Sequence, residues 1–461
     1  MMENLPFKNR PLVQIIKVFS FFILSLHSMS HVLSTKCPQS FFGMSLLFIS
    51  CCGFAQTPDS VYLNNIKTPQ LFLYGNQMEY PIIRLNSADR LELHFDDLDA
   101  DSKNYYYTYQ LCDADWTPVT LSQFDYIRGF SQLRISSYQF SSIALTRYTH
   151  YQAIIPDVNC APTQSGNFLL KVFLDGDTSK LAFTRRFLVV QQGAVAIGAQ
   201  ILQPFDPQIT YTHQKIQFTI NTKSLSIVDP VQQLKVVLIQ NNRWDNALQH
   251  VKPSFYSANN YEYNSDEALS FPAGKQWRWL DIQSFRFQSD RVMKVDYNKN
   301  STTIYVRPDV DRSRIPYTFY NDINGLFYIQ TTESINPNWQ TDYATVRFTF
   351  VPPGNTPYSD KDIYILGKFT DYALGESTRM FFNAEKGVYE ASALMKMGYY
   401  NYAYISVDKG DPAMKRSFDF TEGNHMETEN EYRILVYYRP LGGRSDQLVG
   451  MAQLSSMMSR P

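Results

Sequence analysis

Apolar and polar residues alternate with a period of two through most of this chain. In RLELHF, Leu91, Leu93 and Phe95 fall on one side, with Glu92 and His94 between them. KIQFTI places Ile216, Phe218 and Ile220 together, and TVRFTF does the same with Val346, Phe348 and Phe350. Such runs predict half-buried strands, and the residue types agree with the pattern. No long segment repeats its apolar residues at helical spacing. The strands follow one another closely, separated by Gly, Pro, Asn and Asp, which predicts an all-β chain of tandem antiparallel β-sandwiches of immunoglobulin, fibronectin III or early-set type.

Breaks in the pattern divide the chain. Residues 56–192 form a first sandwich, ending in GNFLLKVFLDGD and LAFTRRFLVV. After the small-residue joint QQGAVAIGAQ comes a second, 193–352. PPGNTPYSD then leads to a third, 353–440, and the weakly patterned residues 441–461 are expected to form a loose tail. With 461 residues, 44% of them apolar, the chain can bury several cores.

Residues 1–55 read as an export signal. Two apolar runs, 13–27 and 41–56, are each shorter than the roughly 20 residues that span a bilayer. The second ends in Gly53-Phe54-Ala55, small residues at the −3 and −1 positions of a signal peptidase site, with Gln56 as the mature N-terminus. Met29 is an alternative start that leaves Lys36 as the n-region charge. Lipidation at Cys51 or Cys52 is the competing reading, weakened by the good cleavage site just beyond. Cleavage takes four of 42 basic and one of 43 acidic residues, leaving 38 and 42, a net of −4. That balance offers no basic excess for nucleic acid.

Of five cysteines, cleavage leaves Cys112 and Cys160. In an oxidising compartment a disulfide between them is the expectation, contributing ~4 kcal/mol by loop closure; two buried free thiols are the alternative.

Candidate chemistry is sparse. Asp97, Asp99 and Asp101 in DDLDADSKNYYYT imitate the start of a calcium loop, but Ser102 and Thr108 stand where glycine and glutamate are needed. A polar hairpin turn accounts for the same residues. His94, His150, His213, His250 and His425 lack the spacing that zinc requires. There is no Gly-x-Ser-x-Gly elbow, P-loop or dinucleotide fingerprint. Carboxylates are plentiful, yet no pair is singled out as a glycosidase dyad. No enzyme, cofactor or metal is therefore expected. NYYYTYQLCDADW, residues 104–116, has the aromatic and acidic content of a binding cleft. Its alternation instead puts Tyr105, Tyr107, Tyr109 and Leu111 on one face and Cys112 on the other, before a turn at Asp113-Ala114-Asp115. Trp277 and Trp279 in QWRWLD alternate onto one side of a strand, as a core pair or an interface platform.

The stretch from YILG through FTDYA and GVYEASALMKMG to YYNYAYISVD resembles the early-set sandwich modules related to glycogen- and starch-binding domains. Tyr400, Tyr402 and Tyr404 line one face of its last strand, and Tyr372 stands where sugar binders usually carry a tryptophan. Longer runs resemble another family. NNIKTPQLFLYGNQMEYPIIRLNSADRLELHF, RYTHYQAIIPDVNC, NNRWDNALQ, FPAGKQWRWLDIQSFRFQSDRV and YNDINGLFYIQTTESINPNWQTDYATVRFTFVPPG follow, in order, the pattern of the type IX secretion system plug family of Bacteroidetes. That resemblance implies a periplasmic protein, monomeric when free, that binds the giant outer-membrane translocon barrel and closes its periplasmic opening when idle. A stable contact of that kind buries on the order of 1,600 Å², and Trp277, Trp279 and Tyr372 are candidate interface aromatics. The alternatives are a periplasmic carbohydrate-binding protein using the early-set module and, with only generic acidic content behind it, a glycosidase.

Overall fold

The alternating runs do become strands. A computed structural model describes residues 58–457, and the export signal read from the sequence lies outside them. Apart from one four-residue α-helix, Pro230–Gln233, and three short 3-10 turns, the regular elements are β-strands.

Two sheets enclose the first core. Ile66–Leu73, Leu91–Asp97, Thr149–Ile155 and Ser137–Phe140 pair in that order. Opposite them run Ile82–Arg84, Leu181–Val190, Gly166–Leu174, Tyr105–Cys112 and Leu133–Arg134. Leu91, Leu93 and Phe95 from one sheet meet Tyr105, Tyr107, Tyr109 and Leu111 from the other. Burial of each such side chain contributes about 1.5–3 kcal/mol.

A second sandwich does not end where the sequence pattern breaks. One sheet holds Ala196–Leu202, His213–Asn221, Asn260–Tyr263 and Phe255–Ser257. The other pairs Arg243–Leu248, Leu234–Gln240, Glu431–Tyr438 and Gln447–Ser455. The residues expected to be a loose tail thus supply an edge strand, aligned with Glu431–Tyr438 over its whole length. Their weak patterning has a physical cause: Leu448 and Val449 are buried on opposite faces, in two different clusters.

The third sandwich is inserted between Ser270–Pro272 and Glu431–Tyr438 of the second. Arg278–Asp281, Gly398–Asp408, Phe327–Ile329 and Lys361–Leu366 face the sheet that contains Val292–Tyr297, Thr302–Val306, Tyr343–Val351 and Val388–Lys396. A boundary at 352/353 would cut this sheet, because Tyr343–Val351 pairs with Val388–Lys396, Val346 opposite Ala393. PPGNTPYSD is a connection inside the domain rather than a linker. Tyr400, Tyr402 and Tyr404 all point into its core.

The first and second sandwiches pack back to back. Leu169, Leu188 and Val190 from one lie against Val237, Ile239, Leu435 and Tyr437 from the other. The strands in that interface are therefore apolar on both faces, as buried strands are.

Candidate functional site

The side chains with the richest chemistry gather at the joints between sandwiches. The turn at Asp113-Ala114 is the first. Asp446 accepts from the Ala114 N–H at 3.0 Å, while Asp113 accepts from the Asp446 N–H at 2.9 Å. Lys235 and Arg439 complete the cluster at 2.9 and 2.8 Å from Asp446. Burial opposes the Asp446 charge, but these donors hold its carboxyl below the usual range. Beside it Trp116 meets Trp244 edge-on, ring centroids 4.9 Å apart, with the Arg186 guanidinium over both rings.

Cys112 and Cys160 are free in the structure, which corrects the expected disulfide. The reason is the pleat. Cys160, on a short ribbon with Ile127–Gly129, lies in the first core, whereas Cys112 faces out of the sheet that holds Tyr105–Cys112, into the joint with the second sandwich. The sheet separates them, and burial pushes both thiols up to about 12.

The calcium-like aspartates also have an internal answer. Lys103 Nζ pairs with Asp97 at 2.8 Å, with Asp101 at 3.3 Å, and with Asp99. An ammonium group occupies the place a cation would take. Among the described residues no group of three or more His, Cys, Asp or Glu side chains could hold a metal ion.

Trp277 and Tyr372, expected as interface aromatics, are each 5% exposed and present no face to a partner. Their ring centroids lie 6.3 Å apart, and with Phe418 they surround the guanidinium of Arg243 from the second sandwich at 5.4–5.8 Å. The aromatic cage is filled by the protein's own arginine, a cation–π contact of the kind strengthened by desolvation. Trp279 differs. It is half-buried, and its ring runs parallel to Tyr399, which is in turn parallel to Tyr328.

The joint between the first and third sandwiches is a polar network that no spacing in the sequence suggested. Asp96 and His150 are register partners on adjacent strands, and His150 Nδ1 lies 2.6 Å from Asp96 Oδ1. His150 Nε2 is 3.0 Å from Nδ1 of His94. With Nδ1–H donated to Asp96, neutral His150 accepts at Nε2, so His94 donates from Nδ1. Asp96 Oδ2 accepts from Tyr343 at 2.6 Å and from Lys396 at 2.5 Å, both in the third sandwich. Thr68, with φ of 49°, in turn bonds the Tyr343 hydroxyl at 2.9 Å. Burial lowers His150 to about 4 despite Asp96 beside it. The aspartate–imidazole pair has the outline of a general base, but both ends are engaged inside the protein. It acts as a fastener.

Within the third sandwich, Arg278 bridges Asp309 at 2.8 Å and Glu422 at 2.9 Å. Tyr402 and Tyr404 both donate to the second oxygen of Asp309. These buried carboxylates are neutralised by arginine and closed to solvent, an arrangement that fixes a core rather than cleaves a bond.

The sequence model described as "Type 9 secretion system plug protein 1st domain" matches residues 66–191, the strands of the first sandwich. A crystal structure of a hypothetical protein from Parabacteroides merdae ATCC 43184 superposes with a TM-score of 0.82 at 31% identity, covering 86% of this chain and 99% of that one. The chain belongs to the type IX secretion system plug protein family. A search of curated proteins gave no match. This plug-family protein thus shares its three-sandwich body with a solved relative over nearly all of that relative's length. Its membership ties it to type IX secretion, in a family of structural components of the secretion machinery rather than of enzymes.

Proposed function

We propose that this protein is a non-enzymatic periplasmic plug, closing the periplasmic opening of the type IX outer-membrane translocon when the channel is idle. Family membership supplies the machinery, and one structural observation favours the plugging role. Every joint between sandwiches is crossed by hydrogen bonds, ion pairs or a caged cation: the Ala114 N–H to Asp446 and Arg439 to Asp113, Lys396 to Asp96, and Arg243 within its aromatic ring of neighbours. A body that must block a pore under load needs fixed domains and a broad face, not a reactive centre. The same reading places it in the periplasm, in agreement with the export signal expected at residues 1–55.

Affinity purification of the mature protein from its own cells, followed by mass spectrometry, tests this. The outer-membrane translocon should be recovered, and deletion should raise outer-membrane permeability to a large solute. Recovery of no translocon, with permeability unchanged, removes the proposal. Binding of a glycan through Trp279 is the second reading, favoured by the parallel, half-buried Trp279, Tyr399 and Tyr328 rings; a glycan array with Trp279→Ala as control decides it.

A further inference from the structure

Between the first and third sandwiches lies a cleft of about 550 Å³. One wall is formed by five consecutive residues, Ser392 to Lys396, of the Val388–Lys396 strand. Successive side chains of a strand point to opposite faces, so a cleft touched by five in a row runs along the strand's edge.

That edge carries free backbone. The Met397 N–H donates to the Asp342 carbonyl, which makes 397 opposite 342 a hydrogen-bonded pair in the register of this ladder. Such pairs alternate along antiparallel strands. Met395, Ala393 and Ala391 therefore direct their N–H and C=O groups inward, toward Ala344, Val346 and Phe348. Ser392 and Leu394 direct theirs outward. The neighbouring strand on that side, Phe381–Asn383, reaches only as far as Glu390. Among the described residues nothing bonds the backbone of Ser392 or Leu394, and Leu394 is 42% exposed.

The opposite wall is built against pairing. The Ile66–Leu73 strand has a bulge between Lys67 and Gln70, with Thr68 at φ 49° and Pro69 lacking an N–H. Bulges and prolines are how sheets close an edge. The Ser392/Leu394 edge has neither.

Charge in the cleft selects an occupant. Arg185 and Lys368 are answered by Asp371, at 3.0 and 3.3 Å, and Lys396 by Asp96. Lys67 is half-buried on the cleft wall, and its ammonium group has no ion-pair or hydrogen-bond partner among the described residues. We propose that this cleft is a β-augmentation slot, in which an extended segment of a partner chain pairs with Ser392 and Leu394 and sets a carboxylate against Lys67. Main-chain pairing gives affinity in this mode, and the side-chain contact gives direction. The slot deepens the plug reading by naming the mode of contact, and rests on it for the partner's identity.

A photo-crosslinking amino acid placed at Ser392 in the full chain, in its own cells, tests the slot. The cross-link should fall on an acid-bearing extended segment of the translocon. Leu394→Pro, which removes an N–H that faces away from Thr345, should cut the yield at least roughly tenfold, while Leu394→Ala should leave it largely intact. Lys67→Glu should also cut it, and serves if the proline variant fails to fold. Cross-links to the translocon from Phe124 or Ile335, both exposed, but none from Ser392 overturn the slot and leave the plug reading standing. Equal yields from Leu394→Pro, Lys67→Glu and the parent do the same. An acid-bearing segment from outside the secretion machinery, lost with both variants, keeps the slot and removes the plug reading.

Discussion

Lys396 lies 300 residues from Asp96 in the chain, yet its Nζ stands 2.5 Å from Asp96 Oδ2, with both side chains buried. Removing one partner of such a pair leaves an uncompensated charge, at a cost of about 3–5 kcal/mol. Lys396→Ala should therefore lower the urea midpoint sharply. The paired change Asp96→Asn with Lys396→Met takes both charges away and should cost much less. Single and double variants of equal stability would show that the joint does not depend on this pair.

The pH dependence of stability should separate two desolvated groups of opposite sign, the buried His150 and the half-buried Asp322. Burial lowers His150 from 6.5 to about 4, with Asp96 opposing and Lys396 and His94 adding to the shift. Between pH 6.5 and 4 the unfolded state then binds a proton that the folded state refuses. Stability falls with pH across that window, by about 3 kcal/mol in all for this group. Asp322 is raised from 3.8 to about 7 by burial, so there the folded state binds the extra proton, and stability is lost as pH rises through the same range. Relative to the parent, His150→Gln should be most favoured near pH 4. Asp322→Asn should be most favoured near pH 7. Urea midpoints at pH 4, 5.5 and 7 measure both; parallel profiles for all three proteins would contradict the assignment.

Much of the fold was legible because strands half-exposed to water must alternate. Leu91, Leu93 and Phe95, or Val346, Phe348 and Phe350, could be placed on their core faces from residue types alone. The insertion was not legible, because the pairing of Tyr343–Val351 with Val388–Lys396 depends on contacts across a Pro- and Gly-rich connection that reads like a linker. Strands buried on both faces, such as Leu181–Val190 and Glu431–Tyr438, did carry a signal in the short apolar runs at their C-terminal ends, Phe187–Val190 and Ile434–Tyr438. That signal marks back-to-back packing of two sandwiches. The site residues were harder still. Asp96, His150 and His94 meet only through strand register, and Lys396 arrives from another sandwich, so no spacing in one sequence brings them together. The separation of Cys112 from Cys160 was half visible, since Cys112 alternates away from Leu111.

Both thiols should behave as buried hydrophobes. Burial pushes each up to about 12, so little thiolate is present at neutral pH and alkylation of the native protein should be slow. After denaturation without reductant, two thiols of the mature chain should react at once. Reductant should not change the melting temperature. A melting temperature that drops on reduction would restore a bond between Cys112 and Cys160.

Trp116 ends the aromatic run that first suggested a binding cleft, and its place between sandwiches gives a graded test. It is 8% exposed, packed edge-on against Trp244 and under Arg186, which Asp59 holds at 3.0 Å. Trp244 is itself fixed by a 2.5 Å hydrogen bond from its Nε1 to the Tyr80 hydroxyl. The Trp116 Nε1 has no partner among the described residues, so the ring contributes packing and its π face rather than a hydrogen bond. Trp116→Phe keeps a ring beneath the guanidinium and removes a buried unpaired N–H, and should cost little. Trp116→Ala should cost about 3–5 kcal/mol, through the cavity and the lost cation–π contact. Because the lost packing lies at a joint, the alanine variant should also be cleaved sooner by protease within residues 191–200, while the phenylalanine variant is not. Equal losses for both would move the role of Trp116 from its ring face to its indole nitrogen.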